Sequence, residues 1–214
     1  MGDVWVMNKP TGYAVHTGHD KTIPSLVGWC RQHMGVSKEW APVHRLDRPT
    51  SGIVLCAESS KSRARLSEMF ADGAVHKEYR TLTYGNAPPE GTIDRALNDR
   101  RRGRIVEATT HFSRLRAYRL LTYLAVFPET GRKHQIRRHL RGVGLPIIGD
   151  QRYGPKPPPR VPGFPGRLWL HAFELRLPDG QTFTAPLPSE LAEQIALLDQ
   201  IEGVSGDEDH TNEA

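Results

Sequence analysis

The sequence predicts an α+β fold, and three features of its patterning carry that expectation. Short apolar or Thr/Tyr/Val-rich runs that read as strands are interspersed with amphipathic stretches that read as helices. They never settle into the strict strand–helix–strand repeat of a doubly wound parallel sheet. No glycine-rich phosphate loop opens any of the helical stretches, so a nucleotide cofactor has no evident home.

The elements follow in order. Val4-Trp5-Val6-Met7 is a short strand stopped by Asn8-Lys9-Pro10-Thr11-Gly12, because Pro and Gly break regular pairing. A helix is expected over 25–34, with Ser25 as its cap after Pro24. Residues 41–52 read as a polar loop, which opens into Ile53-Val54-Leu55-Cys56-Ala57, a buried strand. The next helix starts at Ser59 or Ser60, with Ala64, Leu66, Met69 and Phe70 on its apolar stripe, and ends by Gly73. A strand is expected over 75–84, a Pro/Gly turn over 87–91, and weak pattern over 92–110. Residues 109–121 and 124–128 form a hairpin pair, followed by a helix over 132–142. A Pro/Gly/basic surface loop occupies 155–166, then a strand at 168–177 and a final helix at 187–201.

The 214 residues suffice for one folded unit, expected over 1–203, with 204–214 an acidic, disordered tail. No apolar run approaches the roughly 20 residues of a membrane span, and the N-terminus lacks the pattern of a secretory leader. Cys30 and Cys56 read as reduced thiols, so a cytoplasmic protein is expected, monomeric and without an obligate protein partner. The formal charge is +5. Because Asp207, Glu208, Asp209 and Glu213 crowd the tail, the body is more basic than that figure. Its cations cluster at Arg100–Arg104 and along Arg132, Lys133, Arg137, Arg138 and Arg141, as a phosphate backbone would require. A merely solubilising surface would look the same.

Among groups able to do chemistry, Asp47 stands out. It lies in a polar loop before a buried strand, flanked by Arg45 and Arg48, with Thr50 and Ser51 nearby. Guanidinium groups favour an ionised carboxylate, which can attack a sugar carbon or stabilise positive charge on it. An Asp that caps the turn or pairs with arginine fits the same local pattern. A metal site fits poorly: His134 and His139 are five apart, off the spacing that aligns ligands on one helix face, and no HExxH or Cys/His cluster accompanies them. No metal and no cofactor are expected.

His44-Arg45-Leu46-Asp47-Arg48-Pro49-Thr50-Ser51-Gly52 resembles the signature of RluA-type pseudouridine synthases, including the branch that modifies tRNA. Asn8–Gly12, Lys77-Glu78-Tyr79-Arg80, Gly131-Arg132-Lys133-His134-Gln135-Ile136-Arg137, Pro146-Ile147-Ile148-Gly149-Asp150 and Leu170-His171-Ala172 agree with it in the same order. The resemblance covers about residues 4–190 and implies a mixed, largely antiparallel central sheet with flanking helices and a catalytic cleft. It implies an isomerase acting on uridine in structured RNA, tRNA or rRNA. Asp47 would be the catalytic carboxylate, Tyr79 the aromatic that packs on the target base, and Arg137 the partner of the aspartate. Arg45 would fill the gap left when the uridine flips out, a step that costs a few kcal/mol. His44, Arg48, Thr50, Lys133, His134 and Arg138 are the remaining candidates for RNA contact.

No segment resembles the S4 RNA-binding module of some relatives, so target selection is expected to fall to the catalytic domain, the basic stretch 100–104 and the Pro-rich loop. Two rivals keep the same residues: a catalytically idle RNA-binding protein or chaperone on this fold, and a hydrolase that frees the base.

Overall fold

The structure is a computed structural model, described here for residues 4–18, 20–99 and 103–203. The expected tail at 204–214 and the cations Arg100, Arg101 and Arg102 lie outside the described residues. The elements run β1 (Val4–Lys9), α1 (Leu26–His33), β2 (Ala41–Pro42), β3 (Ser51–Ala57), α2 (Ser60–Ala71), β4 (His76–Tyr84), β5 (Glu90–Asp94) and β6 (Leu97–Asp99). They continue as β7 (Arg104–Val106), β8 (Thr109–Ala117), β9 (Leu121–Pro128), α3 (Gln135–Gly142), β10 (Leu170–Arg176), β11 (Thr182–Thr184) and α4 (Ser189–Glu202). The class is α+β, as the irregular alternation implied.

The main sheet has the order β1-β3-β10-β4-β9-β8-β5, with β2 added to β3 and β11 to β10. Its neighbours are antiparallel except β3 and β10, which run parallel over His171–Ser51 and Ala172–Gly52. All seven residues of β3 are buried because both faces are covered. Val54 and Cys56 point to the side packed by α1 and Trp40, while Ile53, Leu55 and Ala57 meet Leu66 of α2 and Leu175. A third and larger cluster joins Leu82, Leu124 and Val126 to Leu140 of α3 and Leu191 and Ile195 of α4. No helix among the described residues is long and apolar enough to cross a membrane.

Several boundaries differ from the sequence expectation. The 41–52 segment is not all loop, since Ala41 and Pro42 pair with Ala57 and Cys56. The 87–110 stretch, expected to be a turn and then weak pattern, holds β5, β6 and β7, strands of three to five residues that are too short to show a period. The apolar stripe of α2 differs from expectation: Ala64 is exposed, while Ser62 is buried alongside Leu66 and closes a capping box with Ser59. Helix α3 begins at Gln135, because residues 132–134 are spent in the turn that precedes it.

Candidate active site

Two turns hold the site at one end of β1 and β3. Lys9, fully buried, closes β1 and donates from Nζ to the carbonyls of Pro10 at 2.9 Å, Tyr13 at 2.8 Å and Arg48 at 3.2 Å. Burial, then the charge of Arg167, presses its pKa down to about 7. The Gly12 N–H also donates to the Arg48 carbonyl (3.0 Å), and Thr11 Oγ1 donates to that of Pro49 (2.9 Å). Thr50 N–H closes the second turn on the Asp47 carbonyl at 3.0 Å. Beyond it Gly52 sits at φ +112°, and a Cβ there would overlap the Ala172 carbonyl and lie 2.6 Å from its nitrogen. Only glycine lets β3 come this close to β10.

Asp47, so fixed, faces a partner 90 residues away in sequence. Its Oδ2 accepts from Arg137 Nη1 at 3.2 Å. The rest of that guanidinium is clamped by Asp150: Nε and Nη2 donate to Oδ2 and Oδ1, each at 2.8 Å. The backbone N–H groups of Arg152 and Tyr153 add 2.9 Å bonds to Asp150 Oδ1. Burial alone would raise the Asp150 carboxyl, but the Arg137 and backbone hydrogen bonds outweigh it and hold it below the usual range. Side-chain exposure rises along the row from 1 % for Asp150 to 7 % for Arg137 and 24 % for Asp47. Asp47 is therefore the member that a ligand can reach.

His134 adds a second flank. It precedes α3 in the left-handed region at φ 54°, its Nδ1 hydrogen-bonds the Tyr153 hydroxyl at 2.9 Å, and its Nε2 lies 3.6 Å from Asp47 Oδ1. Burial lowers its pKa despite the attraction of Asp47, so the ring is neutral at pH 7. Gln135 braces the turn, accepting from Thr130 Oγ1 and Arg132 N while donating to Thr109 and Thr110. Tyr79 projects from β4 between β10 and β9. Burial and then the Asp47 charge push its phenol up, so it is protonated at neutral pH.

Together Asp47, Tyr79, Arg137, Arg45, Thr50 and His134 line one cleft of about 100 Å³. The other candidates are placed elsewhere. His44 stacks on Phe70 (4.4 Å between centroids) and its Nε2 accepts from Leu55 N–H at 2.9 Å, so it supports β3 instead of facing the cleft. Arg48, Lys133 and Arg138 do not line it either, although Arg48 contributes its carbonyl to the Lys9 clamp. The flanking Arg45 and Arg48, expected to keep Asp47 ionised, form no ion pair with it among the described residues; Arg137 does. His139 and His171 are buried and hydrogen-bonded at both ring nitrogens. No group of three or more His, Cys, Asp or Glu among the described residues is arranged to hold a metal.

Asp150, Tyr153, Gln135 and Lys9 had no assigned role in the sequence. Asp150 left a legible trace, a lone acid ending the apolar run Pro146-Ile147-Ile148. A buried acid at such a place requires a cation.

The family model for RNA pseudouridylate synthase matches residues 3–141. The chain belongs to this family. It is 33 % identical to an uncharacterised RNA pseudouridine synthase of Bacillus subtilis, over 92 % of this chain and 70 % of the relative. Ribosomal large subunit pseudouridine synthase D of Yersinia pestis is 32 % identical, over 92 % of this chain and 68 % of its own. For tRNA pseudouridine synthase C of Haemophilus ducreyi the figures are 32 %, 91 % and 87 %. Among solved structures, human RNA pseudouridylate synthase domain containing 4 superimposes with a TM-score of 0.72 at 25 % identity, covering 92 % of this chain and 90 % of that one. Pseudouridine synthases are isomerases, and the mixed, largely antiparallel sheet with its flanking helices superimposes on a solved member of the family.

Proposed function

We propose that this chain isomerises uridine to pseudouridine in structured RNA, tRNA or rRNA, with Asp47 as the catalytic carboxylate. The observation that carries the reading is the row Asp150–Arg137–Asp47, which fixes one reachable carboxylate at the floor of a cleft walled by Tyr79. A binding protein needs no such preorganised acid; a reaction that develops charge at a sugar carbon does.

The isomerisation balances without an added reactant. The bond from ribose C1′ to uracil N1 breaks, the base turns, C1′ bonds to C5, the C5 proton leaves and N1 gains one. Asp47 acts at the sugar, and Arg137 holds the carboxylate in one orientation. Tyr79 offers an aromatic wall to the turning base, and exposed Arg45 stands at the rim where a flipped nucleotide leaves a gap. Loops of folded RNA, already poorly stacked, lower the cost of that flip.

Wild type and the Asp47→Ala variant, each incubated with transcribed tRNA and rRNA, test this by chemical mapping of pseudouridine. The reading expects modified positions with wild type and none with the variant. Equal silence of both on every RNA would favour the idle RNA binder, and release of free uracil would favour the hydrolase.

A further inference from the structure

We propose that the cavity beneath the proline-rich loop is a second nucleotide pocket, which takes an unpaired base of the same RNA whose target uridine enters the catalytic cleft. The inference rests on the RNA reading of that cleft. The cavity is larger than the cleft, about 610 Å³. Its apolar wall is made by Tyr84, Ile147, Val161 and Phe164, and Phe164 is left 43 % exposed. Lys156 and Arg160, both exposed, are the cations among its lining residues. The acid among its lining residues, Asp150, is already neutralised by Arg137. Aromatic faces beside cations are what a nucleobase and its phosphate need.

The pocket is held open by its own bonds. Tyr84 donates to the Pro159 carbonyl at 3.1 Å, Gln194 of α4 to that of Pro162 at 2.8 Å, and Gly154 N–H to that of Asp150 at 2.8 Å. Asp150 borders this cavity while its carboxylate grips Arg137, which lines the catalytic cleft. Tyr153, in the same turn, bonds His134 of that cleft. The two cavities thus lie on either side of the Arg137–Asp150 pair. Flipping one nucleotide out of a loop unstacks its neighbours. A pocket that restacks one of them offsets part of that cost.

The Phe164→Trp variant, read by difference from wild type, serves as a reporter. A hexauridylate oligonucleotide is expected to quench its emission, and an abasic hexamer of equal charge is not. Phe164→Ala, and separately the double variant Lys156→Ala/Arg160→Ala, are expected to raise KM for transcribed tRNA or rRNA about tenfold, with the loss concentrated in KM. A reporter blind to hexauridylate, or quenched equally by the abasic hexamer, overturns the pocket. So does a KM within twofold of wild type in both variants of an active enzyme. If wild type forms no pseudouridine in any RNA while the reporter still responds to bases alone, the catalytic reading fails and the pocket stands.

Discussion

At the scale of single residues, the working part of the site is an ordering of charge by depth. Asp150 is the most buried and spends its carboxylate on Arg137, whose remaining nitrogen then points at Asp47. Asp150 would thus act as a positioning residue whose loss is felt at Asp47. Asp150→Ala leaves the guanidinium buried with a single weak partner, and removing one member of a buried pair costs about 3–5 kcal/mol. Asp150→Asn keeps the shape and part of the hydrogen bonding, so it should fold. Its kcat should fall by about tenfold or more, since Arg137 is no longer held by two charge-assisted bonds. Denaturant midpoints of both variants, with kcat and KM measured separately for the Asn variant, check this. An Asn variant with wild-type kcat would show that Arg137 needs no brace.

At the scale of elements, the site depends on how closely β3 can approach β10. Gly52 is the hinge of that approach, and its φ of +112° already disfavours a side chain. Gly52→Ala adds a methyl onto the Ala172 backbone, so a loss of about 3 kcal/mol or more is expected in urea unfolding. Had the variant retained full stability, the strands would have room that the structure does not show. This juxtaposition also marks how far the sequence could be read. Ser25 as a cap, the buried run at β3 and the stops at Gly12 and Gly73 were legible because they are local signals. So was the loop bearing Asp47, together with the matching stretches that named Tyr79 and Arg137. The pairing of Asp47 with Arg137, 90 residues apart, followed from the resemblance alone, and the clamp by Asp150, 13 residues beyond Arg137, is not legible, because neither contact leaves a periodic trace. The neighbouring Arg45 and Arg48 misled for the same reason: adjacency in the chain is not adjacency at the carboxylate. Strands β5 to β7 escaped because three to five residues are too few to display alternation.

At the scale of the molecule, the fold buries neutral histidines, and that weakens it in acid. Burial lowers His44 to about 3 and His171 to about 4, against 6.5 for a free histidine. The unfolded chain takes up these protons near pH 6.5 while the folded one resists them. Their contribution to stability is therefore complete above about pH 6.5 and is lost as pH falls toward 4 and 3. Tm should drop between pH 7 and pH 5, and His44→Gln should show a smaller drop from a lower starting value. A variant whose pH dependence matches wild type would remove His44 from that account. The central claim concerns Asp47, and one assay addresses it most directly. RNA transcribed with uridine tritiated at C5 loses its label to water when C5 bonds to the ribose. The account predicts tritium release by wild type and none by Asp47→Asn, although that variant still binds the same RNA. Release by the variant at the wild-type rate would contradict it.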